Sequence, residues 1–427
     1  MMTLHDPEHT ATPRRRAFIG VLLCNVLEWY DFVIYGLLTV YISQAFFPRH
    51  DDTAALLATL AVFGASFVMR PLGGLVLGGL GDRKGRKPGL VITAGLMGVG
   101  TFAIGILPTF EAIGLAAPIL LLLARLVQGL SAGGEWGIAN AFLLEASPEG
   151  RRGFSTSFLS VTVAVGSGLA SAVTAILVST LSPESMKDWG WRLPFLIGGS
   201  LGIVALWLRT SMVETPVYRR ATTAVTSTAA VLRRVRRPSL TVIGFTMHWT
   251  VCYYIFLVYM PLFGQRHAGL SAAQATWSNT LSLVVIILLV PLIGRLSDRF
   301  GRRPFLMCSC LLVLVMVIPA LWMIVTLRSF PLVVAVQVLC GVAIALYSGP
   351  APAVVAELFS TPDRSRWSSV SYAIAAAVFG GFAPFIAVWL TSTLDNPLAP
   401  VGYVVVASTT SLLVVWRMPE TAHRSIS

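Results

Sequence analysis

Charge is what this chain of 427 residues has least of: only 12% is Asp, Glu, Lys or Arg, against about 25% in soluble domains. Cysteine is scarce and scattered. The five (Cys24, Cys252, Cys308, Cys310, Cys340) all sit in apolar stretches, none as a C-x-x-C pair, which argues against a disulfide framework or a zinc site. No H-E-x-x-H, no G-x-S-x-G and no metal-spaced Cys/His cluster appears, so the common hydrolase and metalloenzyme chemistries lose their signatures. No small-residue cleavage site follows the apolar run after Arg14–Arg16, and that run holds Glu28 and Asp31. It reads as a first membrane span, not a leader.

What is abundant is apolar: 56% of the chain. Many runs reach the 18 or so residues that cross a bilayer. The expected spans cover roughly 17–46, 54–80, 88–108, 113–145, 152–180 and 190–210, then 239–264, 271–296, 304–327, 331–357, 366–391 and 399–416. The fold class expected is therefore an all-α membrane protein of about 12 helices. The domains expected are an N-terminal tail (1–16), a first six-helix bundle (17–210), a central loop (211–238), a second bundle (239–418) and a C-terminal tail (419–427).

The chain is one unit written twice. Gly78-Gly79-Leu80-Gly81-Asp82-Arg83-Lys84-Gly85-Arg86-Lys87-Pro88 returns half a chain later as Ile293-Gly294-Arg295-Leu296-Ser297-Asp298-Arg299-Phe300-Gly301-Arg302-Arg303-Pro304. Glycines permit a sharp turn between close helix ends. The aspartate suits a helix start or a nearby arginine.

The net charge of +12 could suggest nucleic acid, but its placement suggests topology. Most Lys and Arg fall on one side: Arg14–Arg16, both signature loops, Arg151-Arg152, the central loop with Arg233-Arg234 and Arg236-Arg237, Arg364, Arg366 and the tail. The opposite loops hold only Arg49, Lys187, Arg266 and Arg328. By the positive-inside rule both termini are expected in the cytoplasm. Glu145 near Arg151-Arg152, and Glu357 near Arg364, recur at similar offsets. The expected gating set is Asp82, Arg83, Arg86, Glu145, Arg152, Asp298, Arg299, Arg302, Glu357 and Arg364.

Ionisable side chains inside a span are functional candidates by default. In the first span Glu28 and Asp31 are three apart, near one helix face with Asn25 and Tyr35. Two such carboxylates resist joint ionisation, as a proton-coupling group would need. In the fourth span Arg125, Gln128 and Glu135 share a broad face. Arg125 sits near the midplane, and its planar fork suits a carboxylate. Gly129, Gly133 and Gly134 would let another helix approach. Arg70, before Pro71-Leu72-Gly73-Gly74, reads as a structural cation nearer the cytoplasm. His248 in the seventh span, near Tyr253 and Tyr254, reads as either a packing residue or a substrate contact. Trp189-Gly190-Trp191-Arg192 reads as an interfacial belt. The site expected is Arg125, Gln128, Asn25, Tyr35, His248 and Tyr253 for substrate, and Asp31, Glu28 and Glu135 for protons.

The paired G-x-x-x-D-R-x-G-R-[KR]-P loops resemble the signature of major facilitator superfamily transporters. Asn25-Val26-Leu27-Glu28-Trp29-Tyr30-Asp31-Phe32, Met69-Arg70-Pro71-Leu72-Gly73-Gly74, Gly190-Trp191-Arg192-Leu193-Pro194-Phe195 and Glu214-Thr215-Pro216 resemble its metabolite:proton symporter family. The resemblance implies import of a small organic carboxylate, citrate-like or a dicarboxylate, with protons across a bacterial inner membrane. It implies no cofactor beyond the proton gradient, no nucleic-acid partner and a monomer. It also implies that Asp31 faces Arg125, as an aspartate and an arginine do in related sugar symporters. The alternatives are a symporter of a zwitterionic osmolyte such as proline or betaine, and a nutrient sensor on a transporter scaffold. Osmolyte members often carry a long C-terminal helix, whereas this sequence stops at Ser427, which counts against the former. After Glu357 the loop 359–367 departs from the usual family pattern.

Overall fold

A computed structural model describes residues 8–48, 51–84, 86–133, 135–145, 147–210 and 228–424. Of these, the side chains of 8–21, 75, 78–84, 86–90, 135, 138, 205, 208–210, 228–232 and 362 are not described. Among the described residues all regular structure is helical.

Eight helices are long and apolar enough to cross a membrane, a ninth is a bent pair, and three more are shorter apolar helices. Together they make the twelve expected spans. The first is Glu8–Leu37 continuing as Thr39–Phe46 after a 67° bend. The second is Asp52–Lys84 and the third Arg86–Ile106. The fourth is Ala116–Ala132 followed by Glu135–Glu145. The fifth is Arg152–Thr180 and the sixth Arg192–Thr210. The seventh is Thr228–Tyr253, a π-helical stretch Tyr254–Tyr259, then Met260–His267. The eighth is Ala272–Phe300 and the ninth Arg303–Leu327. The tenth is Phe330–Ser348 with Ala351–Glu357. The eleventh is Thr361–Ala375, a π-helical Ala376–Gly381 and Ala383–Leu394. The twelfth is Pro400–Arg417. The basic run Arg233–Arg237 lies in the helix that opens the seventh span, which begins earlier than its apolar run.

Local chemistry sets the boundaries. Ser271 and Gln274 form a reciprocal capping box at the start of the eighth span, satisfying two backbone donors. A proline occupies the first turn of the ninth, tenth and twelfth spans, where its missing N–H does no harm. Gly301 ends the eighth span at φ +94°, which a side chain would strain.

The repeat is visible in the packing. The first span packs on the fifth and sixth, the second on the fourth, the third on the fourth and sixth. The same pairs recur six spans later: seventh on eleventh and twelfth, eighth on tenth, ninth on tenth and twelfth. The halves meet through the fifth span on the eighth and the second on the eleventh. Contacts along the fifth and eighth spans run from Gly153 beside Gly294 to Trp277, whose indole donates to Ser179.

Candidate functional site

Glycine decides what meets at the centre of the first half. A Cβ on Gly129 would lie 1.8 Å from the Ser66 carbonyl oxygen, and one on Gly133 1.8 Å from that of Arg70. The second and fourth spans therefore touch backbone to backbone. That contact brings Ser66 beside Arg125, which is fully buried. Arg125 Nη2 donates to Ser66 Oγ (3.2 Å) and Nη1 to Gln128 Oε1 (2.9 Å). Gln128 Nε2 donates to Thr101 Oγ1 (2.7 Å), and Thr101 also faces Asp31. Rings complete the cage. The Arg125 guanidinium lies 4.3 Å from the centre of Tyr35, 5.0 Å from Phe32 and 5.4 Å from Phe63, contacts that a cation favours. Two polar atoms here have no hydrogen-bond partner: Arg125 Nε and Asp31 Oδ1. A buried group left so is expensive, and in a transport site it marks where a substrate or proton is expected.

Asp31 and Arg125 thus share one network, although among the described residues they form no direct ion pair. Gln128 and Thr101 stand between them, because Asp31 is turned to the sixth span. A Cβ on Gly198 would meet Asp31 Oδ1 at 2.4 Å. Glu28 and Asp31 also part company. Glu28 acts on Tyr372 of the other half, and residues three apart on a helix can diverge in this way. The side chain of Glu135 lies outside the described residues.

Other candidates fall elsewhere. Asn25 Nδ2 donates to Thr162 Oγ1 (2.6 Å) and fastens the first span to the fifth. Tyr35 serves as a ring under Arg125, its hydroxyl donating to the Thr59 carbonyl. Tyr253 bonds Ser167 (2.7 Å) across the halves and, with Trp29, Trp136, Trp249, Tyr254 and Tyr372, lines a central cavity of about 20 Å³. That is room for about one water. His248 belongs to the packing of the second half: its ring bonds Ser408 (2.9 Å) and Ser309 (3.1 Å) and lies against Tyr347. A larger hollow, about 760 Å³, is an open apolar groove along the ninth span and contains none of the central charges. Trp191 is fully buried between Phe46 and Phe195, whereas Trp189 of the same stretch is exposed. Arg192 donates to the carbonyls of Gly105 and Leu107, closing the end of the third span.

Sequence reasoning missed Ser66, Thr101 and Phe32, whose residue types are ordinary for a span. It set Arg70 aside. The structure places the Arg70 guanidinium 4.2 Å from the Phe32 ring that Arg125 also covers, and 4.3 Å from Phe67.

At the basic end a second network joins the halves. Arg302 pairs with Asp298 (2.8 Å) and Glu357 (3.2 Å). Asp298 accepts the backbone N–H groups of Gly153 and Phe154 (2.7 and 2.9 Å) at the start of the fifth span, where a helix favours a negative charge. Glu357 accepts from Thr421 (2.6 Å). Glu145 pairs with Arg364 (2.9 Å), and Arg152 donates to the Arg424 carbonyl. Glu145 therefore crosses over to the arginine of the second half, and Glu357 takes Arg302 of its own half instead of Arg364. Arg299 is exposed over Phe300. The side chains of Asp82, Arg83 and Arg86 lie outside the described residues. Glu420 accepts backbone N–H bonds from Arg302, Arg303, Thr421 and Ala422. Burial pushes its carboxyl up, but those four donors outweigh it and hold it below the ordinary value of 4.5.

The sequence profile described as Major Facilitator Superfamily matches residues 21–278 and 265–426. Alpha-ketoglutarate permease of Escherichia coli (strain K12) is 38% identical over 91% of this chain and 90% of its own length. Citrate-proton symporter of Klebsiella pneumoniae is 36% identical over 91% of this chain and 87% of its own. Proline/betaine transporter of Escherichia coli (strain K12) is 33% identical over 96% and 85%. Among solved structures, the partially occluded inward open xylose transporter XylE from E. coli matches with a TM-score of 0.78 at 16% identity, covering 97% of this chain and 100% of that one.

Proposed function

The chain belongs to the major facilitator superfamily and is a multi-pass membrane transporter, not an enzyme; from that premise we propose that it imports a small organic carboxylate together with protons. The observation that carries this reading is Arg125: a fully buried guanidinium with one nitrogen unpartnered, in the same network as Asp31. A bound carboxylate would take the free donor. Protonating Asp31 as the anion enters keeps the buried charge balanced. The halves, 17–210 and 239–418, would rock around this point, with the network at the basic end as the latch on one side. The relatives named for α-ketoglutarate and citrate support a di- or tricarboxylate. The site would need no cofactor beyond the proton gradient, and the protein would act as a monomer. The placement of Lys and Arg supports an inner-membrane protein with both termini and the 211–238 segment in the cytoplasm.

A second reading is import of a zwitterion such as proline or betaine, favoured by the proline/betaine relatives at similar identity. A zwitterion could set its carboxylate on Arg125 and its cation near Asp31. Proteoliposomes loaded at alkaline pH and diluted into acid decide between them. Accumulation of labelled citrate or α-ketoglutarate is expected. Accumulation of glycine betaine alone would favour the second reading, and binding of either without accumulation would favour a sensor.

A further inference from the structure

Arg70 is 95% buried by its 5% exposure, yet its Nε and Nη2 have no hydrogen-bond partner. Those two nitrogens form the side-on edge of the guanidinium, the edge that grips a carboxylate with two parallel bonds. Its position relative to Arg125 is fixed. Ser66 holds Arg125, and Arg70 follows four residues later on the same helix, about 6 Å along its axis. Both cations lie over the Phe32 ring, at 4.2 and 5.0 Å from its centre. Beside them is a third free group, the buried hydroxyl of Tyr254, within electrostatic reach of both arginines. Glu28 lies on the same side, acting with Arg70 on Tyr372, so the feature open to a ligand is the vacant edge and not an uncompensated charge.

The edge also lies where a transported molecule would pass. The Arg70 guanidinium is 5.5 Å from the Trp29 ring, and Trp29, Tyr254 and Tyr372 line the central cavity. Tyr254 stacks edge-on against Phe67, centroids 5.3 Å apart. Tyr254 and Tyr372 belong to the second half, Arg70 and Phe67 to the first. When the halves rock apart, the two tyrosines leave and the Arg70 edge faces the widened cavity.

We propose that Arg70 is a second carboxylate-binding residue, one helical turn beyond the Ser66 that holds Arg125, and that the transported anion carries at least two carboxylates. The proposal rests on the carboxylate reading above and narrows it. Both guanidinium carbons lie close to one ring centre, at 4.2 and 5.0 Å, so a short-chain di- or tricarboxylate could engage both. A monocarboxylate or a betaine would leave the second guanidinium edge empty, and a desolvated donor without a partner penalises the wrong ligand.

The test is equilibrium binding to the purified full-length protein with matched pairs: citrate against 2-ethyl-2-hydroxybutyrate, α-ketoglutarate against α-ketovalerate, and succinate against butyrate, with glycine betaine as a further probe. Methyl replaces terminal carboxylate, twice in the citrate pair and once in the other two. The wild type is expected to bind at least one polyanion about tenfold or more tightly than its counterpart. Arg70→Lys, which keeps the charge but loses the fork, should weaken that polyanion about tenfold and leave the counterpart nearly unchanged. Tyr254→Phe should weaken the polyanion by a smaller factor. Equal losses for both members of a pair would make Arg70 a packing residue and overturn the proposal. Wild-type protein binding both members equally would also overturn it while leaving the carboxylate reading intact. Binding of glycine betaine alone would sink that reading itself. If Arg70→Lys does not fold, the wild-type selectivity and Tyr254→Phe decide.

Discussion

The two halves pack their helices in the same order, yet they have spent their buried charge differently. At the centre of the first half lie Glu28, Asp31, Arg70 and Arg125. Among the described residues the corresponding part of the second half buries no Asp, Glu, Lys or Arg; its buried polar groups there include His248, Asn279 and Gln337. At the basic end the described charges, Asp298, Arg302, Glu357 and Arg364 of the second half and Glu145 of the first, are paired with one another, with only Arg302 Nε left unfilled. At the centre, Arg70, Arg125 and Asp31 keep open edges. The contrast separates two tasks that one repeat could have duplicated: chemistry with a changing partner, and a joint that is either made or broken. An open site has to leave valences vacant. A latch has to fill them in one state and be cheap enough to release.

The first way to break this contrast is to remove the central cation. Arg125→Ala should lower carboxylate affinity by about a hundredfold or more, the scale expected when a buried charged hydrogen-bonding group is lost. Arg125→Lys should recover only part, since an ammonium lacks the fork. Binding isotherms on purified protein measure both, and a near-normal affinity in the alanine variant would move the anion site to another residue. Asp31→Asn sharpens the same contrast, because it imitates the permanently protonated state. Counterflow exchange should persist while accumulation driven by a pH gradient is lost. Accumulation that survives would pass the proton role to Glu28 or Glu135.

The latch should respond more mildly. Asp298→Asn removes the charge that holds the start of the fifth span. A carboxylate at a partly buried helix start contributes about 1–2 kcal/mol, so the population open at the basic end should rise about five- to thirtyfold. Maleimide labelling of a cysteine placed at Ser157, with the exposed Cys308 changed to serine, reads that opening. Unchanged labelling would mean that Asp298 does not restrain it. Glu420→Gln should have the smallest effect. The Glu420 carboxyl is held below its ordinary value, so its contribution is present above about pH 4.5 and is lost as pH falls through the lower folded value. Melting temperatures of wild type and variant should differ near neutrality and converge in acid.

Much of this was legible before the structure, for physical reasons. Span positions follow from the apolar run a bilayer demands, and all twelve fall close to where those runs lie. The bend after Leu37 and the π-helical stretches inside the seventh and eleventh spans left no compositional trace, because a change of winding needs no change of residue type. The glycines of the fourth span were read correctly as a close approach. What that approach delivers, Ser66 and Arg70 to the side of Arg125, depends on a second helix the sequence does not place. Similar offsets in the two halves suggested that Glu357 pairs with Arg364, as Glu145 was expected to pair with Arg151-Arg152. The crossover arises because the fourth and eleventh spans end facing each other from opposite halves. His248 stayed open between packing and substrate contact because its partners, Ser309 and Ser408, lie 61 and 160 residues away.

The π-helical stretches Tyr254–Tyr259 and Ala376–Gly381 both lie in the second half, where the seventh and eleventh spans meet the first half. A span wound this way carries a surplus residue in its turn. If it relaxes to ordinary winding, everything beyond the stretch turns by about 100° around the helix axis, the angle of one residue. Tyr254 opens one such stretch, and Phe382, which packs over Gly64, closes the other. The second half therefore has a screw motion open to it as well as a tilt. An aromatic plug could be withdrawn by unwinding two short coils, while the first half keeps its shape.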